Sequence, residues 1–436
     1  MADRRFDREI LRLAGPAFVT LLAEPVYLLA DTAVVGHLGT AQLGGLAVAS
    51  SILLTAHSLC IFLAYGTTAA VSRLVGAGER RAATHQAVQG VWLGAAVGVV
   101  LAVVLALASG PLIAALGAEG EVAANALVYL RISLLGLPFL LVVLAGTGYL
   151  RGVQDTRTPL AVALFTATLN LGLELFLVYG LDRGIGASAL GTVIAQVVGA
   201  GIYVAVVARG GRAEGVGLAP HLGTQRRLLV VGRDLVVRTV ALRGSLVALT
   251  AVAARIGTTS VAAHQVAFEI WSFLAMALDA LAIAAQAMVG RLLGAGRADD
   301  ARAAGNRLLV LGVVGGAITT VLVLALVPVL PHVFTSDDDV AERIRLLLVW
   351  VAVLQPLAAV AFVLDGVLIG AGDQRFLAWA MAAAAAAMGV ALVPVLPLGF
   401  GIGAVWAAFG VLMVVRVGTL LVRFRGDRWT VIGASP

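Results

Sequence analysis

The chain has 436 residues, of which 61% are hydrophobic and 12% are charged, and its formal net charge is +6. Soluble globular proteins carry about 25% charged residues, so this composition excludes an ordinary soluble domain and indicates a polytopic membrane protein. The 30 basic residues are all arginines in short segments that separate apolar runs. This placement is typical of membrane topology signals and predicts no nucleic-acid partner.

Apolar runs long enough to cross about 30 Å of hydrocarbon recur along the chain and predict twelve transmembrane helices. The predicted helices lie near 10–35, 44–72, 86–108, 122–150, 158–180, 187–208, 228–254, 261–291, 306–330, 341–369, 376–397 and 402–422. If the N-terminus is inside, all arginines but Arg131, Arg183, Arg255, Arg343 and Arg345 fall on the inner side. The positive-inside rule then places both termini of this multi-pass protein on the cytoplasmic side of the cytoplasmic membrane.

Short glycine motifs repeat at an almost constant spacing. Gly76-Ala77-Gly78 and Gly294-Ala295-Gly296 each follow a predicted helix, and they are 218 positions apart. Gly152 and Gly370 open a second pair of motifs with the same offset. The fold class predicted is therefore an all-α membrane protein of two parallel six-helix repeats, with a site near the membrane midplane where the repeats meet.

The repeats define the predicted domains. Residues 1–208 form an N-terminal six-helix bundle with the coupling site, and 209–227, rich in glycine and arginine, form a cytoplasmic linker. Residues 228–423 form the C-terminal bundle, and 424–436 form a cytoplasmic tail.

The first helix carries a polar stripe inside the apolar run Pro16–Asp31. Thr20, Glu24, Tyr27 and Asp31 recur at steps of four, three and four residues, which places them on one helical face. An acid at mid-membrane depth costs roughly 2.5–3.5 kcal/mol on insertion scales, so two on one face indicate an ion or substrate pathway.

Polar residues of two further helices are expected to join this stripe. Asn170 and Glu174 lie one turn apart in the fifth helix, and Thr192 lies in the sixth. Burial next to a second acid disfavours the charged form of a carboxyl group, so a paired acid can bind and release a proton near neutral pH. The alternative is a static polar cluster that holds the helices together.

The repeat offset shows that this cluster is not duplicated. The residues 218 positions beyond Asp31 and Glu174 are Leu249 and Leu392, both apolar. The ionisable site is therefore predicted to be a specialisation of the N-terminal half.

A second stripe in the eighth helix and one acid in the tenth are candidates for a substrate path. The stripe contains Gln265, Glu269, Met276 and Asp279, and the tenth helix contributes Asp365. Their negative charge would suit a cationic ligand. The alternative is that Asp279 and Asp365 form salt bridges with Arg243, Arg291 or Arg375.

Sequence signatures of catalysis are missing. There is no GxxxxGK[ST] phosphate loop, and the histidines and the single cysteine, Cys60, lack metal-ligand spacing. We also find no Ser–His–Asp constellation. The prediction is a secondary transporter with no catalytic residues, no metal site and no cofactor other than its coupling ion.

The motifs together resemble the multidrug and toxic compound extrusion (MATE) family, and its prokaryotic DinF-like branch most closely. The resemblance rests on Tyr27 and Asp31-Thr32, the Gly-Ala-Gly turns, Asn170 with Glu174, and three further motifs. These motifs are Leu150-Arg151-Gly152-Val153-Gln154-Asp155-Thr156-Arg157, Ala263-His264-Gln265 and Gln286-Ala287-Met288-Val289-Gly290.

The resemblance implies two six-helix bundles around a V-shaped central cleft and cation-coupled export of amphipathic, often cationic compounds. It implies that Asp31 is the coupling carboxylate, surrounded by Tyr27, Asn170, Glu174 and Thr192, and that Pro16 lets the first helix bend. The residue corresponding to Glu174 is often Asp in the family. Pro25 is a second helix breaker, so the position of the bend stays open.

We therefore predict a proton-coupled multidrug antiporter that works by alternating access as a monomer in the lipid bilayer, with sodium as an alternative coupling ion. The second reading is a flippase for lipid-linked glycans or polysaccharide precursors from the same wider superfamily. Acidic rather than basic residues at membrane depth favour cationic cargo over that reading.

Overall fold

The computed structural model describes residues 4–180 and 184–435, except for the side chains of Arg4 and Glu24. The apolar runs form helices because only a helix satisfies its backbone hydrogen bonds within one segment in lipid. The helices are α1 (Asp7–Gly36), α2 (Thr40–Cys60), α3 (Phe62–Gly76), α4 (Arg80–Ala115), α5 (Gly120–Leu134), α6 (Leu137–Gly152), α7 (Arg157–Leu175), α8 (Ile185–Ala213), α9 (Leu222–Ile256), α10 (Thr258–Gly294), α11 (Ala298–Leu326), α12 (Leu330–Phe334), α13 (Asp338–Gly370), α14 (Gln374–Leu392) and α15 (Ile402–Arg425).

Eleven helical segments among the described residues are long and apolar enough to span a membrane, and a twelfth arises if α5 and α6 count as one span. α5 and α6 meet at an angle of 50°. α2 and α3 together form one segment, Thr40–Gly76. The predicted all-α polytopic membrane fold is confirmed, with eleven or twelve candidate spans among the described residues.

The backbone repeats as the sequence does. The turns after α3 and α10 contain Gly78 and Gly296, with φ of 79° and 74° and an offset of 218 residues. The turns after α6 and α13 contain Gln154 and Gly372 at that same offset, with φ of 64° and 81°. Gln154 thus occupies a left-handed conformation that its repeat partner fills with glycine, the residue that adopts it without a steric penalty.

The chain divides into two compact units. The N-unit is Gly15–Gly232, and the C-unit is Met1–Ala14 together with Arg233–Pro436. This division differs from the predicted bundles, because the first turns of α1 pack with the C-terminal half and the first turns of α9 pack with the N-terminal half. Within the predicted linker 209–227, α8 continues to Ala213 and α9 begins at Leu222. Only the residues between these two helices are not helical.

Glycines bring the helices of each unit into close contact. In the N-unit, a Cβ atom on Gly94 of α4 would lie 2.7 Å from the carbonyl oxygen of Leu141 in α6. In the C-unit, a Cβ atom on Gly370 of α13 would lie 2.6 Å from the carbonyl oxygen of Gln286 in α10. Small residues allow backbones to approach in this way, which stabilises helix packing where the hydrophobic effect is absent.

Candidate functional site

A buried polar pocket lies within the N-unit, on four of its helices. Its side chains are Tyr27 and Asp31 of α1, Tyr129 of α5, Asn170 and Glu174 of α7, and Ser188 and Thr192 of α8. The spacing of four residues in α7 and in α8 explains the arrangement, because each pair presents two side chains from consecutive turns of one helical face.

Thr192 is the centre of one half of the pocket. Its Oγ1 lies 2.9 Å from the hydroxyl of Tyr27, and it accepts a 3.0 Å hydrogen bond from Nδ2 of Asn170. The Thr192 hydroxyl also lies 3.3 Å from the carbonyl oxygen of Ser188, one turn earlier in α8. Three helices are therefore joined at one hydroxyl group.

Asp31 is the centre of the other half, and only 2% of it is exposed. Ser188 donates a 2.7 Å hydrogen bond to Oδ1 of Asp31, and the Tyr129 hydroxyl donates a 3.1 Å bond to Oδ2. Each oxygen of the carboxylate thus has one hydroxyl donor. Hydrogen bonds donated to a carboxylate favour its charged form.

Glu174 lies beside Asp31 and Ser188 and is 1% exposed. Neither of its carboxyl oxygens has a hydrogen-bond partner among the described residues, and the same is true of Oδ1 of Asn170. Within the described part of the chain, no arginine or histidine forms an ion pair with Asp31 or Glu174. The pocket therefore holds two carboxyl groups. It also contains three acceptor atoms without a donor, namely the two carboxyl oxygens of Glu174 and Oδ1 of Asn170.

α7 changes its geometry directly after Glu174. Residues Phe176–Gly180 form a π-helical turn, and the Tyr179 hydroxyl in this turn donates a 3.1 Å bond to the carbonyl oxygen of Val34 in α1. Such wide turns are rare and occur frequently at functional sites. Here the turn ties α7 to the end of α1 that carries Asp31.

The structure brings together five residues predicted for the coupling site: Tyr27, Asp31, Asn170, Glu174 and Thr192. The side chain of Glu24, which was predicted to join them, lies outside the described residues. Thr20, from the same predicted stripe, instead donates to the carbonyl oxygen of Pro16 in its own helix. Pro16 itself lies inside α1, as does Pro25.

Sequence reasoning missed two members of the pocket. Ser188 precedes Thr192 by four residues, so the helical spacing contained a signal that it shares the same face. Tyr129 had a similar signal, because Asn125, Tyr129 and Ser133 recur at steps of four residues along α5.

The predicted stripe of α10 lies in the C-unit. Nε2 of Gln265 donates a 2.8 Å bond to Glu269, and both side chains are exposed. Met276 and Asp279 are half-buried, and Asp279 lies near Arg416 of α15. The stripe therefore presents polar groups at one end and an acid close to an arginine at the other.

Asp365 forms ion pairs with Arg238 of α9 and Arg416 of α15, and all three residues are buried. Asp365 thus forms salt bridges, as the alternative prediction stated. Its partners are not among the three expected arginines, Arg243, Arg291 and Arg375. Arg291 instead pairs with Glu9. A carboxylate held by two arginines is already neutralised, which makes Asp365 a poor candidate for contacting a cationic ligand.

The pocket has a simple chemical capability. Two buried carboxyl groups side by side are not both stable as anions, so the pair favours binding one proton or one hard cation. The unpartnered oxygens of Glu174 and Asn170 are acceptors that such an ion would satisfy.

Known proteins with similar sequences give the chain its family. The sequence pattern of the MatE family matches residues 16–176 and 236–395, which correspond to the two repeats. Protein DETOXIFICATION 44, chloroplastic, of Arabidopsis thaliana is 30% identical over 449 residues, which cover 99% of this chain and 85% of the relative. DNA damage-inducible protein F of Escherichia coli K12 is 30% identical over 419 residues, which cover 94% of this chain and 90% of the relative.

A solved structure supports the same assignment for the fold. The outward-facing structure of a multidrug resistance MATE family transporter of the MOP superfamily superposes with a TM-score of 0.85 at 20% identity. The superposition covers 96% of this chain and 94% of that structure. The resemblance predicted from the motifs is confirmed: the chain belongs to the MatE family of membrane-spanning secondary transporters and is not an enzyme.

Proposed function

We propose that the protein is a proton-coupled antiporter that exports amphipathic cationic compounds across the cytoplasmic membrane by alternating access. The observation that carries the proposal is the adjacent pair Asp31 and Glu174, buried in the N-unit without an arginine or histidine ion-pair partner among the described residues. A purely structural pair of acids would be expected to have such a partner, because an uncompensated buried charge is strongly destabilising.

The pair suits a proton because it has too few donors for its acceptors. Asp31 has two hydroxyl donors, whereas Glu174 has none among the described residues. One proton on the pair supplies the missing donor and removes the repulsion between two anions. Loss of that proton restores two negative charges and makes a cationic ligand more favourable in the transporter.

The different charge of the pair with and without its proton would couple proton movement to export of the cargo. A ligand shifts a conformational equilibrium only through its different affinities for the two states. Proton binding at Asp31 and Glu174 from outside would favour release of the cationic cargo, and proton release to the more alkaline cytoplasm would favour loading. Sodium is the alternative ion, because carboxylate and amide oxygens also ligate hard cations.

Cationic cargo is supported by the acids of the second half. Glu269 is exposed on α10, and Asp279 follows on the same stripe with Met276 between them. A flexible thioether beside carboxylates suits varied apolar cations. The arginine distribution supports cytoplasmic positions for both termini, and we propose a monomer because each unit has its own core.

The test is efflux of ethidium from proteoliposomes under an imposed proton gradient. We expect wild-type flux, and loss of coupled flux in Asp31→Asn and Glu174→Gln. Asp373→Asn is the matched control, because Asp373 pairs with Arg423 outside the pocket. That variant should retain flux.

The outcomes separate the alternatives. Flux that requires a sodium gradient would show that sodium is the coupling ion, and the proposed export function would stand. Unchanged flux in well-folded Asp31→Asn would remove the coupling role of the pocket. Flipping of a lipid-linked glycan without transport of any cation would replace the cargo class.

A further inference from the structure

The N-terminal part of α1 is anchored in the C-unit by charge. Nε and Nη2 of Arg307 donate to the two carboxylate oxygens of Asp7 at 2.5 and 2.7 Å. Arg291 donates a 2.6 Å bond to Glu9, and Arg5 pairs with Asp300. A bidentate arginine–carboxylate contact fixes orientation as well as distance.

Apolar packing supports these ion pairs. Phe6, Ile10 and Leu13 follow one helical face, and their exposed fractions are 6%, 1% and 0%. Residues 5–14 are thus held by ion pairs on the polar side and by buried side chains on the other. A segment held in both ways is not a fraying helix end.

The repeat provides an internal comparison. The positions 218 residues beyond Asp7 and before Arg307 are Gln225 and Gln89, and these two amides form a 3.4 Å hydrogen bond in the N-unit. The same contact therefore occurs in both halves of the molecule. It is ionic where α1 is anchored and neutral where α9 is anchored.

The second ion pair has no ionic counterpart. The residues equivalent to Glu9 and Arg291 are Arg227 and Arg73, and two arginines do not form an ion pair with each other. The positions equivalent to Glu9 and Arg291 therefore do not repeat this ion pair.

The same asymmetry appears in the polar pocket. α1 carries Tyr27 and Asp31, whereas the equivalent residues of α9 are Ser245 and Leu249. The helix with the ionisable site is thus the helix with the ionic anchor. Proton-coupled transport by the pocket does not by itself require that α1 also carries the ionic anchor.

α1 passes from one compact unit to the other along its length. Ala14 is the last residue in the C-unit, and Gly15 is the first in the N-unit. Pro16 follows, and proline in a helix removes one backbone hydrogen bond and weakens the helix locally. A Cβ atom on Gly15 would meet no atom within 4 Å, so this position is not locked by packing.

We infer that Asp7 and Glu9 are positioning residues for transport. With Arg307 and Arg291 they keep the first two turns of α1, up to Ala14, fixed on the C-unit throughout the transport cycle. This inference requires only that the protein transports a solute, whatever the coupling ion.

The decisive experiment uses a cysteine pair in a Cys60→Ser background, which removes the only native cysteine. Asp7→Cys with Arg307→Cys abolishes the ion pair, so we expect slower ethidium flux in proteoliposomes. A short bifunctional thiol reagent reconnects the two positions, and we expect it to restore flux. If the reagent instead abolishes flux and reduction restores it, the contact must open during the cycle and the inference is overturned.

Arg302→Cys with Asp427→Cys is the matched control. Arg302 and Asp427 form a 2.7 Å ion pair in the C-unit without involving α1. Loss of this ion pair should leave flux unchanged, and so should reconnection of the two positions by the thiol reagent. A change equal to that of the α1 pair would assign the effect to the reagent or to the C-unit in general.

A second measurement is independent of any substrate. Hydrogen exchange of the amides of residues 7–14 should be severalfold faster in Arg307→Asp, since the variant removes the ion pair with Asp7 and places two like charges together. The reciprocal variant Asp7→Arg/Arg307→Asp should restore protection and flux. Exchange that is unchanged in Arg307→Asp overturns the anchor. Absence of ethidium flux in the wild type would instead contradict the proposed cargo or coupling and leave the exchange result to decide the anchor.

Discussion

The hydroxyl of Ser188 donates a 2.7 Å hydrogen bond to Oδ1 of Asp31, although 157 residues separate the two in the sequence. The bond joins α8 to α1 and turns one carboxylate oxygen toward α8. Tyr129 binds the other oxygen, so the orientation of Asp31 is determined by two helices. Substitutions of these donors therefore test the chemistry of Asp31 without removing its carboxyl group.

Ser188→Ala should slow coupled ethidium flux, because it removes one of the two hydroxyl donors that orient the Asp31 carboxylate. A hydrogen bond to a charged group contributes about 1.5–3 kcal/mol, so the variant should also be less stable to thermal unfolding. The measurements are ethidium flux in proteoliposomes and thermal unfolding in detergent. Thr166→Ala is the control, because that hydroxyl donates to carbonyl groups of its own helix, and equal flux in both variants would contradict the prediction.

Tyr27→Phe and Thr192→Val should have non-additive effects on thermal stability. Their hydroxyl groups share one 2.9 Å hydrogen bond, so either substitution alone removes it. We expect a coupling free energy of about 0.5–1.5 kcal/mol from a double-mutant cycle of unfolding in detergent. Tyr27→Phe combined with Thr147→Val should be additive, because Thr147 bonds to Tyr203. Additivity in the first cycle would show that the Tyr27–Thr192 bond contributes nothing.

Asp365→Leu should destabilise the protein by about 3–5 kcal/mol, since it leaves Arg238 and Arg416 buried without their shared carboxylate. The triple variant Arg238→Met/Asp365→Leu/Arg416→Met should recover most of that loss, because it removes the buried charges together. Thermal unfolding measures both effects. Asp373→Asn should cost only up to about 1 kcal/mol, because its pair with Arg423 is partly exposed.

The triple variant also decides the role of Asp365. Retained ethidium flux in this variant would assign Asp365 to structure. Loss of flux with full stability would return it to the substrate path.

Gly370→Ala should destabilise the C-unit by about 1–3 kcal/mol, because its methyl group would overlap the backbone of α10 at Gln286. Gly389→Ala is the matched control in α14, where a Cβ atom would meet nothing within 4 Å. That variant should be neutral or stabilising by about 0.5–1 kcal/mol, since alanine favours helices over glycine. Thermal unfolding of both variants checks the prediction, and equal melting temperatures would contradict it.

Much of the pocket could be predicted because polar residues are rare in an apolar chain. Asn170 and Glu174 lie four residues apart, and Tyr27 and Asp31 do too, so the helical period alone assigns each pair to one face. The energetic cost of polar groups in lipid then favours bringing the two faces together. The same period in Asn125, Tyr129 and Ser133 indicated a polar face on α5, and this face was overlooked because it carries no acid.

The partners of Asp365 could not be predicted for a different reason. Arg238 and Arg243 lie within one predicted helix, Arg416 lies within another, and Arg291 and Arg375 lie at helix ends. Selecting among them requires the rotation of each helix about its axis, which depends on close glycine contacts such as Gly370 on Gln286. The packing of residues 4–14 with the C-unit could not be predicted either, because a sequence repeat shows which positions are equivalent and does not show which residues are in contact.

The ion pair of Asp7 with Arg307 has a consequence for biosynthesis. Its two residues are 300 positions apart, so Asp7 leaves the ribosome long before its partner exists. At roughly 5–20 residues per second, the interval is about 15 to 60 s. The first turn of α1 therefore cannot form this ion pair until α11 has been synthesised, so its docking on the C-unit is a late event although the segment is translated first.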